Sequence, residues 1–301
     1  LVPMLMALGV AGVTTFLALR TLRLFTANDL SFYSFNLKSS GTIKKAGWLF
    51  LSFAIAWLGL NAHSGWVRYH ERAGTMAFEK IRIPDELALA QTDATQWLGR
   101  DERQQVADGR RNLQKAANTG IFVNKEALSK LAWLEYLSGN TEQALEMLGS
   151  AAERQDGTSR ALSLYYRGSI LNRLGRYDEA LSSLDQALAE RPDLVTAREE
   201  KGESLWQLGR KEPAVREWTE AIRSNPRLPL STNFLAGAAK SAGSPDAAAA
   251  YEKQAGQLTP ADPRFHWMLA LRLSNIGMNE LAEKHFARAT ELDPALHLRR
   301  R

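Results

Sequence analysis

Cysteine is absent from all 301 residues. That excludes disulfides, zinc–thiolate sites, cysteine-ligated iron–sulfur clusters and any thiol nucleophile. Histidine is scarce. His63, His70, His266, His285 and His297 form no His-Glu-x-x-His pattern, and no nucleophile elbow accompanies them. His63 and His70 share one face of a continuous helix beside an apolar run, where they read as interfacial polar residues rather than haem or metal ligands. Acid pairs such as Glu199-Glu200 read as a solvated helix face. The expectation is a chain with no enzyme activity, no cofactor, no metal and no small-molecule substrate.

Acidic residues are nearly missing from the first part of the chain. Residues 1–82 hold nine Lys/Arg against three Asp/Glu, whereas residues 83–301 hold 29 against 30. The net charge of +5 is therefore local to the apolar segments, and a nucleic-acid partner is not expected. The basic tail 297–301, ending Arg299-Arg300-Arg301, is too short to change that.

What lies beside those charges is apolar. Residues 1–19 carry no charge before Arg20, and residues 46–67 carry none between Lys45 and Arg68, with Trp48 and Trp66 near the ends. About 20 residues at about 1.5 Å each span a hydrocarbon core, and tryptophan suits its two interfaces. Both segments are expected to be transmembrane helices in a lipid bilayer. The loop 20–45 between them holds Arg20, Arg23, Lys38, Lys44 and Lys45 against Asp29 alone. The positive-inside rule places that loop in the cytoplasm and the rest of the chain outside it, so a bacterial inner-membrane protein with an extracytoplasmic domain is expected. The chain opens on Leu and is apolar at once; an alternative start codon and an upstream portion both account for that.

The remainder repeats. In Gly-Arg-Tyr-Asp-Glu-Ala at residues 175–180 and the turns that follow, the markers are Gly175, Ala180, Ala187 and Pro192. Steps of 34 residues lead to Gly209, Ala214, Ala221 and Pro226, then Gly243, Ala248, Ala255 and Pro260, then Gly277, Ala282, Ala289 and Pro294. Small residues recur earlier in each unit at Gly168, Gly202, Ala236 and Ala270, and Ala132, Gly139, Ala144 and Ala151 fit one further unit upstream. Each unit reads as two helices. The glycine ends the first in a left-handed turn, the proline closes the second, and the small residues mark where helices cross closely.

These markers resemble the tetratricopeptide repeat, with small residues at positions 8, 20 and 27 of a 34-residue unit and proline at 32. The resemblance implies an all-α fold: two transmembrane helices followed by an α-solenoid, a right-handed superhelix of helix-turn-helix repeats. The units are 125–158 (divergent), 161–194, 195–228, 229–262 and 263–296, with 68–124 a helical linker or degenerate capping repeat. Arg198 and Thr232 stand where a large residue is usual, so looser packing is expected in the third and fourth units. The resemblance further implies a concave groove lined by the first helix of each unit. Carried over position by position, its lining is Trp133, Tyr136, Tyr165, Asn172, Arg173, Glu199, Glu203, Trp206, Lys240, Trp267 and Asn275. Aromatic anchors beside polar groups suit a protein or peptide partner, and Glu199 with Glu203 would repel an acidic one.

The function expected is a membrane-anchored scaffold that binds a partner in this groove, for assembly of an envelope complex. A second resemblance gives an alternative. Residues 31–74 are similar to the closing span of membrane-bound 4Fe-4S polyferredoxins, though without the cysteines that define them. On that reading the chain is the C-terminal docking part of an electron-transfer protein whose clusters lie upstream of Leu1.

Overall fold

The computed structural model describes residues 2–120 and 124–296. The basic tail 297–301 lies outside the described residues. The chain divides into two compact units, one of residues 1–70 with 118–121, the other of residues 71–117 with 122–301.

In the first unit, helix α1 (Val2–Thr26) runs seven residues past the expected end of the first apolar segment. The segment 20–45 is not a plain loop, and the fold is not purely helical. Strands β1 (Leu30–Phe32), β2 (Phe35–Ser39) and β3 (Thr42–Ile43) form an antiparallel sheet in that order. Tight turns make it. Phe32 pairs with Phe35 across Tyr33-Ser34, and Ser39 with Thr42 across Ser40-Gly41, whose φ values of 49° and 76° are those of a hairpin turn. The sheet turns Leu30 and Leu37 inward onto Leu24 and Leu51, a small apolar cluster of its own. Helix α2 (Lys45–Phe78) begins where β3 ends and continues well beyond residue 67, its last residues belonging to the second unit.

In the second unit, residues 71–78 of α2 pair with α4 (Arg100–Thr119), and Gly74 admits Leu113 so closely that a Cβ there would lie 2.6 Å from its Cγ. Leu113 and Ala116 are buried. Between α2 and α4 the chain makes only one turn of helix, α3 (Asp85–Ala88), and a 3₁₀ turn at Ala94–Trp97, capped by the Asp93 carboxylate on the Thr95 amide.

Five helix pairs follow: α5 (Lys125–Leu137) with α6 (Thr141–Arg154), α7 (Gly157–Arg173) with α8 (Tyr177–Glu190), α9 (Val195–Gln207) with α10 (Lys211–Ser224), α11 (Pro229–Ser241) with α12 (Pro245–Leu258), and α13 (Pro263–Asn275) with α14 (Asn279–Leu292). This is a tetratricopeptide-like solenoid. Each first helix ends the same way. At the second pair, Gly175 adopts φ 74° and the Arg176 amide reaches back to the Leu171 carbonyl at 2.9 Å, closing the last turn without a side-chain clash. The equivalent glycines at 139, 209, 243 and 277 all have positive φ. The early small residues permit close crossing: a Cβ on Gly168 would stand 2.6 Å from Leu184 Cγ. The third and fourth units do not pack loosely. Trp218 of the third unit and Phe234 of the fourth are both wholly buried, with ring centroids 4.9 Å apart, and Thr232 is itself buried.

Candidate functional site

The predicted groove residues lie on the first helices of the pairs, α5, α7, α9, α11 and α13. They do not line an open channel. Trp133, Tyr136, Tyr165, Asn172, Glu199, Glu203, Trp206 and Trp267 are all buried, and the Arg173 side chain is 3% exposed. What covers them is the chain itself. Residues 83–99, read from sequence as part of a helical linker or cap, pack against the first helices. Leu87, Ala90 and Trp97 join the apolar cluster containing Trp206 and Trp267; Ala88, Leu89, Ala94 and Leu98 join the cluster containing Trp133, Tyr136 and Tyr165.

The repeats hold this segment by side-chain donors aimed at its backbone. The Tyr136 hydroxyl stands 3.0 Å from the Ala88 carbonyl and 2.9 Å from that of Gln91, and shares its proton between them. Asn275 Nδ2 donates to the Ala90 carbonyl at 3.0 Å. Tyr166, missed in the sequence because it neighbours the expected Tyr165, donates to the Asp85 carboxylate. Burial raises the pKa of Asp85, and the Tyr166 hydrogen bond opposes that rise. Trp97 meets Trp267 edge to face, with ring centroids 6.5 Å apart.

Beneath the segment is an ion cluster from three repeats. Arg173 Nη2 lies 2.7 Å from Glu200 Oε2 and 2.9 Å from Glu203 Oε2. Arg272 bonds both carboxylates from α13, with its Nε 2.7 Å from Glu203 Oε1. None of the four side chains is more than 3% exposed. Glu199-Glu200 is therefore not a solvated pair, and Glu203 is neutralised rather than free to repel a ligand. Burial opposes ionisation of Glu200, but Arg173 and Arg272 together outweigh it and hold its carboxyl below the usual range. Glu203 goes the other way: burial, with Glu200 beside it, raises its pKa against the two guanidinium groups. Glu199 stands apart, accepting from the Ser231 hydroxyl at 2.8 Å, and burial pushes it up to about 7.

The solenoid also closes across itself. Trp206 Nε1 donates to the Ile276 carbonyl at 3.1 Å, tying the third repeat to the fifth. Lys240 pairs with Glu252 of α12 and Glu280 of α14 at 2.7 and 2.6 Å. Asn275 is exposed even as it holds Ala90. Beside residues 84–87 an apolar cavity of about 460 Å³ remains, walled by Leu87, Leu228, Leu230, Phe265 and Met268. No group of three or more His, Asp or Glu side chains able to hold a metal ion occurs among the described residues.

Helix pairs of this length and closure, stacked with small residues at each crossing, define a tetratricopeptide-type solenoid. The tetratricopeptide-repeat family model matches residues 129–195 and 199–263, and those residues carry tetratricopeptide repeats. Among solved structures, one of MamA is 21% identical with a TM-score of 0.47, covering 52% of this chain and 89% of its own. TTC0263, described as a thermophilic TPR protein in Thermus thermophilus, is 23% identical with a TM-score of 0.45, covering 58% of this chain and 96% of its own. No curated protein matches the sequence.

Proposed function

We propose that the protein is a membrane-anchored scaffold whose repeats recruit a partner protein for assembly of an envelope complex. On this reading α1 and the apolar part of α2 lie in a bacterial inner membrane, with the repeat unit on its extracytoplasmic side. The observation that carries the anchoring is exposure. Leu22, Phe25, Leu49, Ile55 and Leu60 are between 55% and 75% exposed on two helices long and apolar enough to cross a bilayer. Apolar surface of that extent is unfavourable in water and favourable in lipid. The hairpin supports the same reading. Its tip presents Tyr33 and Phe35 to the outside, in a segment that also carries Arg20, Lys38 and Lys44, the chemistry of a headgroup layer. The repeats supply the recruiting surface, since stacked helix pairs hold a chain segment on their concave side.

The absence of native cysteine makes the test direct. Ser40→Cys and Ser244→Cys, both at exposed positions, are each introduced into the full chain and treated with a membrane-impermeant maleimide in spheroplasts. Labelling of Ser244→Cys alone is expected. Labelling of Ser40→Cys alone reverses the orientation, and recovery of the chain in the soluble fraction removes the anchor.

A further inference from the structure

We infer that residues 83–99 are a ligand of the repeat groove carried in the same chain, and that the recruited partner bears a segment of the same chemistry. That chemistry is acidic at its start (Asp85, Glu86), rich in leucine and alanine in its middle (Leu87–Ala90), and closed by Trp97-Leu98. The inference rests on the recruitment reading above and supplies its ligand class.

Five observations carry it. The segment comes from outside the repeats, as the connection between α2, which ends at Phe78, and α4, which begins at Arg100. Connections of that length in a compact unit are uncommon and tend to be functional. Its two flanks pack on each other through Gly74 and Leu113, so the segment can leave the groove without dissolving a repeat. Its contacts are those made to a bound peptide. Tyr136 and Asn275 donate to its backbone carbonyls, which any sequence would offer, while Leu89, Trp97 and Leu98 enter apolar positions that select side chains. Within itself it has one helical turn and one 3₁₀ turn, so little holds it in shape once it is out of the groove. The fit is also incomplete where the segment enters. Cavities of about 460 and 100 Å³ adjoin Pro84 and Leu87, leaving room for bulkier side chains of a competing segment.

Tethering sets the terms of competition. A segment joined at both ends faces its groove at an effective concentration on the order of millimolar, so a partner must either exceed that or bind more tightly.

The test uses the full chain in detergent micelles and a synthetic peptide of residues 83–99. By hydrogen exchange, amides of residues 87–98 are expected to exchange about tenfold or more faster than those of α9, because the segment opens without global unfolding. Adding the peptide at millimolar concentration should raise their exchange further while α9 stays protected. Equal exchange in the segment and α9, with no response to peptide, makes residues 83–99 permanent core and overturns the inference. Leu89→Ala provides a second measurement: by anisotropy, labelled peptide should bind this variant about tenfold more tightly than wild type, since the tethered competitor is weakened. Unchanged affinity also overturns it. Neither readout depends on membrane insertion, so failure of the anchor in spheroplasts leaves this result to be judged alone.

Discussion

The inner and outer helices of the solenoid bury themselves in different ways. Outer α10 buries a single stripe, Ala214, Trp218 and Ala221, as an amphipathic surface helix does. Inner α9 buries Ala197, Glu199, Glu200, Gly202, Glu203, Ser204, Leu205 and Trp206, residues from every side of the helix. A helix buried all round needs a covering on the face that an open solenoid leaves to solvent. Residues 83–99 and the contacts between the third and fifth repeats provide it. The comparison also explains where charge can sit. Outer pairs such as Arg176 with Glu179 are exposed, whereas the inner pairs of Arg173 and Arg272 with Glu200 and Glu203 are sealed.

Removing one member of the sealed cluster should have the largest effect. Arg272→Met leaves Glu200 and Glu203 with Arg173 alone, and an uncompensated buried charge costs about 3–5 kcal/mol. A fall in unfolding free energy of that order, read from urea denaturation, is expected. Arg176→Ala, on the outer surface, should leave the midpoint unchanged. Equal effects would mean that the inner cluster is hydrated in solution.

Acid should separate the two helix layers next. Burial, with His266 and Lys284 nearby, lowers His285 of α14 to about 4. His266 is lowered in the same direction, by burial and then by Arg288, against the opposing charge of Asp262. The rings are joined at 2.9 Å between their Nδ1 atoms, and His285 Nε2 meets Asn233 Oδ1 at 3.0 Å. Because the folded state disfavours the proton, the stability His285 contributes is complete above its unfolded pKa of about 6.5 and is lost as pH falls toward 4, by about 3 kcal/mol. Glu199 on α9 has the opposite sign. Its folded pKa of about 7 lies above the unfolded value, so its contribution is complete below about 4.5 and is lost as pH rises through 7. The two largely offset each other between pH 7 and 4.5. Glu199→Gln should therefore steepen the loss of stability on acidification, and His285→Asn should flatten it, as read from denaturant midpoints across that range.

Glycine substitution draws the same line with smaller numbers. A Cβ on Gly202 of α9 would lie 2.2 Å from Trp218 Nε1, whereas one on Gly256 of α12 meets nothing within 4 Å. Gly202→Ala should destabilise by about 1–2 kcal/mol, the overpacking exceeding the gain in helix propensity. Gly256→Ala should stabilise by up to about 1 kcal/mol through that gain alone.

The repeats were legible in the sequence because their signals are local. Gly175 and its equivalents mark turns, and Ala180 or Ala187 marks a crossing between near neighbours in the chain. Trp133, Tyr165 and Trp206 could be singled out by position within a unit, but their burial could not. Their covering was not legible either. Whether Arg272 meets Glu203 depends on how tightly successive units rotate, and a 34-residue spacing does not encode that angle. The segment 83–99 also lacks period, because its side chains are placed by the groove rather than by a helix of its own. The hairpin of residues 30–43 did leave a signal, Ser40-Gly41 between two short runs able to pair, beside the stronger charge pattern of the loop.

The smallest expected effect is the most selective. Tyr136→Phe keeps the ring packed on Trp133, whose centroid is 5.4 Å away, and removes only the hydroxyl that serves the Ala88 and Gln91 carbonyls. The loss should be about 1 kcal/mol, that of a single buried hydrogen bond. Its location matters more than its size. Amide exchange should rise in residues 88–92 and stay unchanged in α9 and α13. Tyr177→Phe, at the start of outer α8, should leave both regions as they were. If Tyr136→Phe leaves exchange in residues 88–92 unchanged, side-chain packing alone fixes the segment, and the concave face selects its occupant by apolar shape without reading its backbone.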